Sequence, residues 1–134
     1  MDAKMLNGTS LAYAGDGVLE LHIRKYLLNK NITKVNDLHK TAVKYTSGES
    51  QAKVVDYLLE NNLLTEYEVS IYKRGRNTKS NQHRKNISDV LHNKSTGLEA
   101  VIGYLYLSDN TERLEELLKY IIEIVEIGEV LWKK

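Results

Sequence analysis

The sequence predicts an all-α fold. Apolar residues recur at helical spacing almost throughout, no segment alternates apolar and polar as a half-buried strand does, and the 134 residues contain no proline. Proline removes an amide donor and breaks helix interiors, so its absence suits a helical chain. The length fits one domain, residues 1–134, around one core.

Each element has its own signal. The first helix is predicted to begin after residues 7–10, capped by Thr9 or Ser10, and to run to about Asn29. Leu11, Ala14, Val18, Leu19, Leu21 and Ile23 leave little of its circumference polar, which marks a buried helix. A second helix fits 34–45. Residues 47–50, Ser-Gly-Glu-Ser, break the pattern and cap a third helix over 49–61. Thr65 and Glu68 have the spacing of a capping box, which starts a fourth helix running to about Thr78. Residues 80–94 have weak apolar spacing and read as a loop. A fifth helix fits 95–108, and a long sixth follows the punctuation at 109–112.

Composition excludes several function classes. There is no cysteine, hence no disulfide scaffold, cysteine zinc site or thiol nucleophile. The four histidines lack metal-ligand spacing. Residues 11–28, the longest candidate membrane stretch, carry Asp16, Glu20, His22, Arg24 and Lys25, so they do not read as a span. The N-terminus lacks the pattern of a signal peptide. The expectation is a cytoplasmic protein without a membrane anchor.

Three features carry chemistry. Asp16 and Glu20 lie one turn apart on the otherwise apolar first helix, in a narrow stripe that ends at Arg24. A solvent-facing stripe with Glu20 pairing Arg24 is the plain alternative to a functional one. Glu99 is the single carboxylate of the fifth helix before Asp109, in a stripe with Thr96 and Gly103. Two apolar helices that each carry an isolated carboxylate suggest that the two face each other. Facing carboxylates repel in a low dielectric, and a hard divalent cation relieves the repulsion. The third feature is basic. Residues 72–94 hold seven Lys and Arg against one Asp, a net +6 in a chain whose total is +1. Such asymmetry suggests a polyanion-facing side, and Lys73, Arg74, Arg76, Asn77, Lys79, Arg84 and Lys85 are its candidate contacts.

LAYAGDGVLELHIRKYLL resembles the signature helix of the ribonuclease III family, and KRGRNTKS followed by STGLEAVIGYLYL resembles the short Mini-ribonuclease III members. DLHKTAVKYTSGESQA is similar to the middle segment of that group. The blocks span nearly the whole chain in order. The resemblance implies a ribonuclease III-type helical endonuclease domain without the double-stranded-RNA-binding domain of full-length members. It implies a homodimer that cleaves double-stranded RNA with Mg²⁺, or with Mn²⁺ in its place. In bacteria the short members trim the paired ends of precursor 23S ribosomal RNA, and a large-subunit ribosomal protein is a possible helper.

Asp16 and Glu99 match the family's catalytic metal ligands. Ala12 and Thr96 stand where full-length members carry further carboxylates, a departure that the Mini members share. Glu20 and Thr96 are then candidates to orient the ligands or a bound water. The missing carboxylates also motivate a rival: a non-catalytic RNA-binding or ribosome-associated module that kept the fold.

Overall fold

A computed structural model describes residues 1–77 and 87–131. A short 3-10 turn at Ala3–Met5 precedes six helices: α1 Gly8–Asn29, α2 Val35–Thr46, α3 Gly48–Glu60, α4 Glu66–Arg76, α5 Ile87–Leu107 and α6 Thr111–Leu131. No strand occurs among the described residues, and none of the helices is long and apolar enough to cross a membrane.

α5 is the central element and packs against α1, α3, α4 and α6. Leu98, Ala100, Val101 and Ile102 are each fully buried, so its surface is enclosed nearly all round. α1 contributes Leu11, Leu19, Ile23 and Leu27 to the same core, and α6 contributes Leu117, Leu118 and Ile121.

The closest approach is between α1 and α5. A Cβ placed on Gly15 would lie 1.8 Å from the backbone oxygen of Glu99, and one on Gly103 would lie 1.9 Å from the backbone oxygen of Leu11. Two glycines therefore let the helices meet main chain to main chain. Gly17 differs: a Cβ there would meet nothing within 4 Å. Of the two glycines that flank Asp16, Gly15 alone gives clearance to a partner helix.

α6 is held at both ends by polar contacts. Near its start, Arg113 donates to both carboxylate oxygens of Glu68 at 2.8 Å and to the Leu63 carbonyl at 2.7 Å. Glu68 also completes the capping box with Thr65, accepting from its amide at 2.9 Å. Burial alone would raise the Glu68 carboxyl, but the bonds from Arg113 and the Thr65 amide outweigh it and hold the group below its ordinary range. Near the far end, Glu126 accepts from the hydroxyls of Tyr26 and Tyr45 and lies 3.5 Å from the Lys30 ammonium. This carboxyl too is depressed: burial opposes ionisation, and the two tyrosines and Lys30 prevail.

Several boundaries depart from the sequence reading. The cap of α1 is Asn7, whose side chain accepts from the Ser10 amide at 2.8 Å, ahead of the expected Thr9 or Ser10. α4 ends at Arg76 rather than Thr78. The larger correction is that 87–94 is helix, not loop. Polar contacts support this stretch: Lys94 bonds Asp56 of α3 at 3.0 Å, and Asn93 and Ser95 are buried. Apolar periodicity is blind to such support.

The helix ends also use an unforeseen device. Asn31, Asn62 and Asp109 adopt positive φ angles of 65°, 53° and 60° after α1, α3 and α5. In each case the next residue's amide reaches back to a carbonyl in the final turn, Leu27, Leu58 and Leu105. That is the Schellman stop, built with Asn and Asp instead of glycine.

Gly15→Ala should destabilise the fold by at least about 1–3 kcal/mol, because α1 and α5 must separate to admit a methyl. Gly17→Ala should instead be neutral or stabilising by about 0.5–1 kcal/mol, since it removes only chain entropy at an open helical position. Urea titration of both variants checks the contrast.

Candidate active site

The α1–α5 contact brings together the residues picked out by pattern. Asp16 follows Gly15 directly, and Glu99 is the residue whose main chain Gly15 touches. The Asp16 carboxyl comes within hydrogen-bonding reach of the Glu99 carboxyl. Burial pushes Glu99 up to about 8, and Asp16 and then Glu20 push it the same way. Glu99 is half-buried while Asp16 is exposed, so the pair opens to solvent on the Asp16 side.

Such a pair accepts either a proton or a cation. Its donors are carboxylate oxygens alone, which suits a hard divalent ion. Among the described residues no three His, Cys, Asp or Glu side chains gather as a complete metal cage. Two carboxylates leave most positions of an octahedral ion to water or to phosphate oxygens.

The neighbouring candidates fall into place unequally. Glu20 sits one turn beyond Asp16, 3.6 Å from Arg24, so it takes part in the ion pair and in the field at Glu99. Thr96 lies one turn before Glu99, and its hydroxyl donates to the His92 carbonyl at 2.9 Å. Ala12 is buried.

The basic segment divides. Lys73 is exposed at the end of α4. Arg76 donates to the Asn77 side chain at 3.1 Å and lies over the Tyr72 ring at 5.6 Å. Arg74 has a structural task that sequence reasoning missed. It donates to the carbonyls of Lys4 and Leu6, each at 3.2 Å, and so pins the segment before α1. Lys94, counted in the net charge, is paired with Asp56 at 2.9 Å. Lys79, Arg84 and Lys85 lie outside the described residues.

A hollow of about 630 Å³ opens beside Asp16, lined by Tyr13, Leu21, Tyr106 and Leu118 among others. Tyr13, Leu21 and Tyr106 are 86%, 70% and 55% exposed, an apolar cluster beside Asp16. The spacing of α1 could have flagged Tyr13 and Leu21, because they share the face that carries Gly17 and not the face of Leu19 and Ile23.

Comparison with known proteins bears on the fold and the family. Residues 9–110 match the Ribonuclease III domain family. The chain is 47% identical to Mini-ribonuclease 3 of Streptococcus pneumoniae over 126 residues, covering 94% of this chain and 98% of that protein. It is 48% identical to Mini-ribonuclease 3 of Staphylococcus aureus over 122 residues, covering 91% of each. A crystal structure of a Fusobacterium nucleatum protein superposes with a TM-score of 0.76 at 28% identity, covering 91% of this chain and 96% of that one. The all-helical architecture, the crossing of α1 and α5 at paired carboxyls, and relatives of matching length lead to one conclusion: the chain belongs to the ribonuclease III family, in its Mini-ribonuclease 3 branch, and is an endoribonuclease.

Proposed function

We propose that the protein hydrolyses phosphodiester bonds of double-stranded RNA with Mg²⁺ held by Asp16 and Glu99, Mn²⁺ substituting. Its proposed substrate is the stem formed by the paired ends of precursor 23S ribosomal RNA, in the cytoplasm. The observation that carries the reading is the crowding of two carboxyls at the α1–α5 crossing, with Glu99 pushed up to about 8. A divalent cation relieves that crowding and, when bound, supplies an activated water and neutralises charge on the scissile phosphate.

The chain's residues have separable tasks. Asp16 and Glu99 bind the ion and fix its place at the helix crossing. Having only two such residues makes the RNA phosphate part of the site, so ion affinity should rise with substrate present. Glu20 and Thr96 shape the surroundings of the ligands. Lys73, Arg76 and Asn77, with Lys79, Arg84 and Lys85 further along the chain, meet the backbone of the duplex. Double-stranded RNA is recognised largely by shape through phosphates and 2′-hydroxyls. Arg74 supports this surface by holding the N-terminal segment.

The whole chain acts as one catalytic domain in a homodimer. The apolar cluster of Tyr13, Leu21 and Tyr106 favours a second copy covering it, since large exposed apolar patches beside a site mark interfaces. Two-fold symmetry then offers one site to each antiparallel strand. A large-subunit ribosomal protein is a fitting helper if the precursor stem must be presented in the assembled subunit. The non-catalytic module is the lesser reading, because it needs no paired carboxyls.

Asp16→Asn should abolish cleavage of a long RNA duplex in Mg²⁺, as should EDTA with the unaltered protein, while duplex binding persists. Cleavage by the Asn variant at the normal rate would remove Asp16 from the site. Glu99→Gln should also lose cleavage, yet raise Tm in metal-free buffer above pH 8 by on the order of 5 °C, where it removes a crowded charge, with the gain fading as pH falls toward the ordinary carboxylate range. A lowered Tm would contradict the crowding. Leu21→Glu should halve the mass measured by sedimentation; an intact dimer would place the interface elsewhere.

A further inference from the structure

Beyond the carboxylate pair, α1 and α2 enclose a narrower groove of about 260 Å³. Leu27, Leu38 and Ala42 line it from within, and Glu20, Arg24 and His39 stand at its edges. α2 commits little to the core: Tyr45 is its single buried residue.

Arg24 is distinguished by what it does not do. Of the other described arginines, Arg74 pins the N-terminal segment, Arg113 locks α6 to the α4 cap, and Arg76 bonds Asn77 over a tyrosine ring. Arg24 is 65% exposed, and Glu20 stands 3.6 Å from it, beyond a good hydrogen bond. Among the described residues its guanidinium donates no hydrogen bond. An exposed i,i+4 pair adds little to stability, so the fold does not account for it.

Its placement does suggest a role. Arg24 shares a stripe with Asp16, two turns on, or about 12 Å along the axis. Past the groove, Lys34 just before α2 and Lys40 within it line a hollow of about 660 Å³ together with Thr41 and Asp37. We infer that Arg24, with His39 across the groove, grips a backbone phosphate of the RNA strand flanking the cleaved bond. The inference rests on the endoribonuclease site at Asp16 and Glu99. Guanidinium is the side chain whose planar fork matches phosphate oxygens two at a time. Glu20 keeps that fork near the groove until a phosphate displaces it. Lys34 and Lys40 then extend the footprint along the same backbone.

The test compares wild type with Arg24→Gln, Arg24→Lys and His39→Gln on a duplex cleaved near its centre, and on duplexes truncated on one side of the cut or the other. Arg24→Gln should raise KM about tenfold, the scale of one charge-assisted contact, with kcat nearly unchanged. The salt dependence of binding should flatten by about one phosphate contact. Arg24→Lys should recover part of the affinity, because it restores charge without the fork. Truncation on one particular side should erase the difference between Arg24→Gln and wild type. An unchanged KM and salt slope would overturn the inference, as would an equal penalty on every truncated duplex or a loss traced to a lowered Tm. Wild type that cleaves no RNA duplex sinks the underlying reading as well; normal wild-type cleavage beside an unaltered Arg24→Gln sinks this one alone.

Discussion

The contact on which the rest depends is between two backbones. Gly15 of α1 presses against the main chain of Glu99, and Gly103 of α5 presses against that of Leu11. No side chain separates the helices there, so their spacing is set by peptide atoms. The cores on either side, Leu11 and Leu19 from α1, Leu98 and Ile102 from α5, close around that crossing. The carboxyls of Asp16 and Glu99 are the outward expression of the same contact.

The remaining helices hold this crossing in place. α4 brings another glycine to α5, where a Cβ on Gly75 would lie 2.8 Å from Ala100, so a second pair of helices meets closely beside the first. α6 covers the bundle and is fixed by two acidic residues: Glu68 receives Arg113, and Glu126 receives Tyr26 and Tyr45. Both clusters join segments far apart in sequence, and both carboxyls are ionised by their donors against the pull of burial. Local propensity makes the helices; these long-range polar ties, together with apolar burial, decide how they stack.

Much of this was legible in the sequence where the physics is local. The α3 cap at Ser47 and the Thr65–Glu68 box were readable because a cap is a pattern of four residues. The pairing of Asp16 with Glu99 was readable because each is an isolated carboxylate on an apolar helix. What escaped depends on partners distant in the chain. Nothing near Arg74 announces that it will serve the carbonyls of Lys4 and Leu6, and nothing near residue 90 announces that Asp56 will anchor Lys94. The stops at Asn31, Asn62 and Asp109 were missed for another reason. Glycine is the usual sign of such a turn, and Asn or Asp in that role is less conspicuous.

The crossing has a consequence for how the site meets its substrate. A side chain between two helices would act as a spring, changing rotamer as charge enters or leaves. Glycine against main chain has no such compliance. The backbones that carry Asp16 and Glu99 therefore cannot drift apart, and the cost of confining two acids, met by a proton on Glu99, is carried by the folded state. On the proposed reading the site is preorganised in the electrostatic sense: its field is installed during folding, and a bound cation would discharge it.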